Sequence, residues 1–473
     1  MKLKYSSQFN RWKSRSVLIV GAARQGIALA RFLVSRGARV IINDQKQASE
    51  LTAAQQELAD TNVEWVCGGH PLELLKRVDT LCVSGGIPLT LPLIVEAKKL
   101  KMTLTNDSQI FLEETPCVTI GITGSAGKTT TTTLVGRIAE AAVHMPDSNY
   151  RKVWVGGNIG LPLIAQIGEM DVGDLAVLEL SSFQLELMTV APQIAAILNI
   201  TPNHLDRHGS MAAYTAAKVR ILDYQNSSNI AILCQDDRGA WSLVDRVRGK
   251  LITFGLDDPG VGEIGTFSEN GSVYLRQGTT IRKLVDTSDI SLRGKHNLMN
   301  VLAACAIAEG AGLSEKSMQA GISGFKGVAH RLEFVRSVKG VSWYNDSIAT
   351  APERSIAAIQ SFNEPIILLA GGRDKNLPWQ DFAKLVKKRV NHLIVFGEAA
   401  EKIVQNISLT NKNGLLITRC QGLQEAVQTA AKIARPGDVV LLSPGGTSFD
   451  EFRDFEERGE CFRQWVMQLP DEE

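Results

Sequence analysis

The sequence predicts an α/β protein made of parallel sheets covered by helices and divided into three domains. Three observations predict it. A short β-branched run, a glycine turn and a helical stretch recur along the chain, which is the rhythm of strand–helix–strand units. The length of 473 residues holds two to four domains at roughly 100–200 residues each, with three the central value. Hydrophobic residues make up 44% and charged residues 21%, a balance that argues against a disordered chain.

The first unit opens with the strand SVLIV, turns at Gly21-Ala22-Ala23-Arg24-Gln25-Gly26 and continues as a helix to Arg36. Gly37 ends that helix and ARVIIND returns as the next strand, so the N-terminal domain reads as Rossmann-like. Asp44 closes this strand about twenty residues on, where a carboxylate can hold a ribose or a base edge. The turn lacks the middle glycine of G-x-G-x-x-G, so a plain βα turn with a surface aspartate fits equally well. A second start follows Pro116. VTIGIT reads as a buried strand, GSAGKTTTTTLVGRIAEAA as a helix entered from a glycine loop, and LAVLEL and AAILNI as further strands. From Gly255 to Lys283, glycines and short β-prone pieces indicate hairpins instead of helical crossovers. HNLMNVLAACAIAEGAG then returns to helical spacing. A third unit after Gly327 holds PIILLAGG, NHLIVFG and DVVLLSPGG, each a strand running into a glycine turn. Boundaries near Asn106 and Gly327 give domains 1–106, 107–327 and 328–473.

Composition excludes several function classes. Lys plus Arg number 51 against 50 for Asp plus Glu, so the net charge of +1 gives no global footprint for nucleic acid or an acidic membrane. The seven cysteines are scattered and form no C-x-x-C pair, which argues against a disulfide framework or a structural zinc and suits the cytoplasm. No segment reaches the roughly 18 apolar residues of a membrane span. The first apolar run, Val17 to Val20, is too short for a signal peptide.

The sharpest chemical signal is Gly124-Ser125-Ala126-Gly127-Lys128-Thr129-Thr130, between a strand and a helix. Backbone N–H groups of such a loop face phosphate oxygens, the lysine reaches the terminal phosphates, and the next hydroxyl can bind Mg²⁺. Ile122 stands where the usual P-loop has its first glycine, so this is a shortened form, G-x-x-G-K-T-T. Glu179 follows the strand LAVL, a place from which carboxylates bind a metal beside a phosphate loop, although a solvated loop glutamate has the same signature. TPNHLDRHGS carries His204 and His208, either metal-binding or a polar capping loop. Lys218 sits at helical spacing among Ala and Val, either snorkelling to water or buried and reactive. WYNDSIATAPERS, with Asp346 and Thr350, and LLSPGGTSFDEFRDFEERG, with Ser448 and Phe455, each follow a strand and open a helix.

On these residues the chain resembles the Mur ligases of bacterial cell-wall synthesis. GITGSAGKTTTTT, GGNIGLP, LELSSFQLE, NHLDRH, YTAAK, GKHNLMN, AHRLE, NDSIAT and SPGGTSFDEFRDFEERG occur in the family order over nearly the whole chain. SSFQLE and the FxxRG ending favour the branch that adds D-glutamate. The resemblance implies a Rossmann-like UDP-substrate domain, a P-loop ATPase-type central domain and a Rossmann-like C-terminal domain for the amino acid. It implies a cytoplasmic, monomeric ligase that uses ATP to join UDP-N-acetylmuramoyl-L-alanine to D-glutamate through an acyl phosphate, with two Mg²⁺ ions.

It also implies roles. Gly124, Ser125, Ala126, Gly127, Lys128, Thr129, Thr130, Asn297, Arg331 and Asp346 would bind ATP. Thr129, Glu179, His204 and a carbamylated Lys218 would hold metal. Lys128, Glu179, His204, Lys218 and Arg331 would be the catalytic set. Gly21, Ala22, Ala23, Arg24, Asp44, Ser84, Gly85, Gly86 and Asn158 would bind the UDP substrate. Thr350, Lys375, Ser448 and Phe455 would surround D-glutamate. Four positions depart from the family pattern: Ala126 stands for asparagine, Ile348 for lysine, Asn203 for an acidic residue, and Gly445-Gly446 for Ala-Cys.

Overall fold

The computed structural model describes residues 10–375, 377–408 and 415–471. Its contacts divide the chain into two units. One comprises residues 1–290 with 296–323, and the other 291–295 with 324–473.

The first unit holds two sheets. One is built from β1 (Ser16–Val20), β2 (Arg39–Asp44), β3 (Glu64–Cys67), β4 (Thr80–Val83) and β5 (Thr103–Thr105), all parallel, in the order β3-β2-β1-β4-β5. The strands before and after β1 in this order are reached by crossovers of opposite sense. The carboxyl ends of β1 and β4 therefore flank a switch point, where open α/β sheets bind ligands. Leu18, Val20, Ile41, Leu81 and Val83 fill one face beneath the helix Pro92–Lys99 with its Leu93 and Ile94.

The second sheet contains β6 (Val118–Thr123), β7 (Val153–Gly157), β8 (Leu175–Glu179), β9 (Ile194–Ile197), β10 (Ile230–Cys234), β11 (Lys250–Phe254), β12 (Ile264–Glu269), β13 (Ser272–Gln277) and β14 (Thr280–Asp286). Their order is β14-β13-β12-β11-β10-β9-β6-β8-β7. Pairing is parallel from β7 through β12, and β12-β13-β14 is an antiparallel meander, as the glycine-rich stretch predicts. The strand that enters the phosphate loop, β6, lies between β8 and β9, so the candidate loops after all three emerge on one edge.

The second unit holds β15 (Glu333–Val338), β16 (Val341–Asn345), β17 (Ile366–Gly371), β18 (Val390–Phe396), β19 (Leu416–Arg419) and β20 (Val439–Gly445), in the order β15-β16-β20-β17-β18-β19. Among the described strands of this unit, only the β15–β16 pair is antiparallel. Strands here read as unbroken apolar runs because both faces are covered. Leu368, Ala370, Leu393, Val395, Val439 and Leu441 pack on one side. Their neighbours Ile367, Leu369, Ile394, Phe396, Val440 and Leu442 pack on the other. Among the described residues, no helix is long and apolar enough to cross a membrane.

Candidate active site

The phosphate loop joins β6 to the helix Lys128–Val143. Gly127 caps that helix at φ 83°, a left-handed conformation that favours glycine, and a Cβ there would meet Asn300 Oδ1 at 2.3 Å. No side chain caps this helix start, which leaves its first N–H groups for an anion. The segment after β9 holds the loop from below. Ser125 N–H donates to Asn199 O at 3.0 Å. Ala126 N–H donates to Asn199 Oδ1 at 2.8 Å, and Asn199 Nδ2 donates to Ala126 O at 3.1 Å. Ser125 Oγ points inward, 2.9 Å from Thr201 O and from the Tyr214 hydroxyl.

Two lysines converge on one carbonyl. Lys128 Nζ and Lys218 Nζ each donate to Gly124 O at 2.9 Å. Lys218 also donates to Thr123 Oγ1 at 3.2 Å and sits over the Tyr214 ring at 4.9 Å. It is 1% exposed, on the inward face of the helix Met211–Asp223. It does not snorkel, because its ammonium head is buried together with its stem. Desolvation first, and the Lys128 charge second, hold its pKa well below the usual lysine value, with Glu179 opposing.

Glu179 is 2% exposed at the end of β8, so it is not a solvated loop glutamate. Its carboxylate accepts from Thr129 Oγ1 at 2.8 Å and from Asn158 Nδ2 at 3.0 Å. A hydroxyl and a carboxylate oxygen so close are hard donors suited to Mg²⁺, which takes one or two protein ligands and completes its shell with phosphate and water. Among the described residues no group of three His, Cys, Asp or Glu gathers, so the donor set fits such a shared ion and not an all-protein cage.

His204 adopts φ 53°, rare for a residue with a Cβ, and meets the Phe183 ring edge-on at 5.2 Å. His208 takes a different part. Its ring stacks on Phe183 at 5.0 Å and its Nε2 lies 2.9 Å from Ser182 Oγ, so it braces the SSFQLE turn. Asn297 is buried and accepts from Asn300 Nδ2 at 3.1 Å, one step from Gly127.

The UDP-side residues gather at the switch point of the first sheet. Ser84 Oγ donates to Gly21 O at 3.1 Å, which joins the Gly21–Arg24 turn to the Ser84–Gly86 turn. Asp44 accepts the Ala22 N–H at 2.8 Å and the Lys46 N–H at 2.9 Å, so it shapes the glycine turn directly. Ala23 caps the helix Arg24–Ser35 without a side-chain bond. A cavity of about 80 Å³ opens beside these turns, lined in part by Ser84, Gly85, Phe183 and Arg207. Arg207 stacks over Phe183 at 4.8 Å and donates to Gly86 O at 3.3 Å.

In the second unit Asp346, Thr350, Lys375, Ser448 and Phe455 follow the carboxyl ends of the adjacent strands β16, β17 and β20. Asp346 is 5% exposed and accepts from Ser443 Oγ at 2.8 Å and Leu332 N–H at 3.2 Å. Burial pushes its pKa up to about 7. Arg331, whose charge acts on Asp346, lies between two left-handed non-glycine residues, His330 (φ 63°) and Leu332 (φ 43°). Ser448 is buried, and Phe455 opens the helix Phe455–Met467 with Asp454 as its cap.

Sequence reasoning missed Arg458. This guanidinium is fully buried, donates to Ser347 Oγ at 3.0 Å and Ser347 O at 2.8 Å, and reaches Gly446 O at 3.1 and 3.2 Å. It ties the loop after β16 to the loop after β20. Desolvation lowers its pKa to about 10. The FxxRG spelling was its only signal. Tyr214, Arg207 and Asn199 stand inside the quoted segments YTAAK, NHLDRH and AAILNI, but nothing in the sequence assigned them a part.

Three family descriptions match in chain order: Mur ligase MurD-like N-terminal domain over residues 15–105, Mur ligase middle domain over 122–308, and Mur ligase glutamate ligase domain over 330–446. The UDP-N-acetylmuramoylalanine–D-glutamate ligase of Pelotomaculum thermopropionicum is 38% identical over 96% of this chain and 98% of its own. That of Symbiobacterium thermophilum is 40% identical over 95% and 97%. Among solved structures, the UDP-N-acetylmuramate-alanine ligase of Thermotoga maritima shares the fold at TM-score 0.55 and 16% identity, covering 96% of this chain and 99% of that one. The MurF ligase of the same organism, in complex with ADP, does so at 0.54 and 17%, covering 97% of each.

Proposed function

Since the chain belongs to the Mur ligase family, we infer that it joins D-glutamate to UDP-N-acetylmuramoyl-L-alanine at the expense of ATP, in peptidoglycan precursor synthesis. The observation that carries the reaction class is the convergence of Lys128 and Lys218 on Gly124 O, beside the Thr129–Glu179 pair. A carboxylate oxygen is a poor leaving group, and both reacting partners start as anions. Phosphorylating the L-alanyl carboxylate supplies a leaving group, and the D-glutamate amine then displaces phosphate to form the amide. Preset cations and N–H donors are what such a reaction needs.

In this reading residues 1–106 bind the UDP substrate, 107–327 bind ATP, and 328–473 bind the amino acid. The helix N-terminus at Gly127 and the Gly124–Thr130 backbone cradle the phosphates, with Lys128 across them. Asn297 is assigned to the adenine, Arg331 to the γ-phosphate and Asp346 to the ribose. Thr129 and Glu179 would hold one Mg²⁺, and His204 with a carbamylated Lys218 a second. Bound there, Mg²⁺ screens the charge between phosphate and carboxylate. Lys218 suits carbamylation because burial lowers its pKa and so favours the neutral amine, the form that reacts. That amine would form an N–C bond with CO₂ and release a proton, which puts an anion in place of the buried lysine head. Gly21–Arg24, Asp44, Ser84–Gly86 and Asn158 take the UDP substrate. Thr350, Lys375, Ser448 and Phe455 take D-glutamate. All seven cysteines are free, which suits the reducing cytoplasm where we place the enzyme, as a monomer.

The test is ATP-dependent phosphate release with Mg²⁺ and UDP-N-acetylmuramoyl-L-alanine, comparing D-glutamate, L-glutamate, D-aspartate and L-alanine. Release that requires D-glutamate, with a product heavier by one glutamyl residue, is the expected result. Release with none of the four overturns the reading.

A further inference from the structure

Arg354 lies in the first turn of the helix Pro352–Ile359, four residues after Thr350. Its guanidinium folds back across the loop, and Nη1 donates to Ile348 O at 3.2 Å. The same carbonyl accepts the Thr350 N–H at 2.8 Å, so Arg354 and the Thr350 backbone share one acceptor. Ile348 is also the position where lysine is usual in the family pattern, and its apolar side chain supplies no charge. Arg354 brings a cation to that same peptide.

The electrostatics agree with this placement. The Arg354 charge acts on Lys375, whose pKa is lowered by desolvation and then by Arg354, and it acts on Asp346 as well. Neighbouring cations are already neutralised. Arg373 pairs with Glu398 at 2.8 Å, and Lys402 pairs with Asp374. Among the described residues, neither Arg354 nor Lys375 has an ion-pair partner. Two such cations beside each other repel, and that repulsion is relieved when an anion enters between them. The helix Pro352–Ile359 starts at Ala351 without a side-chain cap, so its N–H groups add to the same field.

We propose that Arg354 is a substrate-binding residue which, with Lys375, holds the two carboxylates of D-glutamate. The proposal rests on the D-glutamate reading and adds a residue to it. One cation leaves one carboxylate of glutamate to neutral donors alone. A lysine and an arginine satisfy both, and the planar fork of arginine fixes the orientation of the carboxylate it meets. A neutral side chain of similar length, such as that of D-glutamine, would leave one of the two cations unpaired and be rejected.

The experiment compares the unmodified chain with Arg354→Met and Arg354→Lys, measuring steady-state phosphate release while each substrate is varied in turn. Arg354 is exposed, so both variants are expected to keep the melting profile of the parent. Arg354→Met should raise the KM for D-glutamate by about 10- to 100-fold, the size of a lost charge-assisted hydrogen bond. The KM values for ATP and the UDP substrate should stay within about twofold. Discrimination between D-glutamate and D-glutamine should narrow in the same variant, and Arg354→Lys should recover part of both effects. An unchanged KM for D-glutamate, or an increase that falls on ATP instead, sinks the proposal alone. Absence of D-glutamate-dependent release from the unmodified chain removes the reading and the proposal together.

Discussion

Replacing Asp346 by asparagine should make the second unit more stable at alkaline pH while weakening its use of ATP. The carboxyl group is 5% exposed, and burial raises its pKa from 3.8 to about 7. A shift of about three units, at roughly 1.4 kcal/mol each, sets about 4 kcal/mol as the upper bound on the cost of ionising it in the folded protein. The unfolded chain loses this proton near pH 3.8 and the folded chain near 7. Between those values the unfolded state binds fewer protons, so stability falls as pH rises. The contribution is fully present below 3.8 and gone above 7. Asparagine cannot ionise, which removes the slope. Its amide replaces one acceptor of the Ser443 and Leu332 bonds, a loss of about 1 kcal/mol. The variant should therefore gain about 2–3 kcal/mol over the parent at pH 8 and lose about 1 kcal/mol at pH 4. Hydrogen exchange of peptides spanning β16 and β20, corrected for intrinsic rates, reads this opening free energy locally. Parallel pH dependences in parent and variant would refute the burial argument. A raised KM for ATP in the same variant would mark the carboxylate as a group retained for function against stability.

Three further outcomes follow from the first unit. Lys128→Met should abolish ADP formation with an unchanged circular dichroism spectrum, and near-normal turnover would reject the phosphate-loop assignment. Lys218→Ala should lose at least about 100-fold in turnover and be partly restored by a short carboxylic acid standing in for the carbamate, since it removes an ion-supporting group. Full activity without additive would leave the buried lysine a packing role only. Gly127→Ala forces a side chain into a left-handed position at about 1–2 kcal/mol and onto Asn300, so binding of a fluorescent ADP analogue should weaken about tenfold or more. Undiminished binding would show that the loop tolerates another path.

The order of strands and glycine turns was legible because parallel sheets buried on both faces write themselves as apolar runs, as in IILLAGG and VVLLSPGG. The phosphate loop was legible for a similar reason, since strand, glycines, lysine and helix are contiguous. Other parts were hidden because they depend on segments far apart in the chain. Helical spacing among alanines could not say whether Lys218 faced water. Its inward head is fixed by Thr123, Gly124 and Tyr214, from two separate elements. Arg458 sits in the charge-rich segment SFDEFRDFEERG, whose spelling does not say which charge is buried, yet it is the fully buried clamp between two loops. Asp44 was read as either a ribose ligand or a surface residue. Its bonds to Ala22 and Lys46 show that it builds the turn, a third use that spacing does not encode.

The side chain of Asn199 grips Ala126 on both sides, its oxygen taking the N–H of the Ser125–Ala126 peptide and its amide meeting the carbonyl of the Ala126–Gly127 peptide. The Ser125–Ala126 plane is held at its other end too, where Asn203 Nδ2 donates to Ser125 O at 3.3 Å, so it has no flipped resting state. The loop therefore waits for nucleotide with its dipoles already oriented, and capture requires no rearrangement before contact. Loading should then follow a single exponential whose observed rate climbs linearly with nucleotide concentration, without the plateau that a preceding isomerisation imposes. Ala126 stands where this family usually has asparagine, and here an asparagine amide reaches the same residue from the segment after β9.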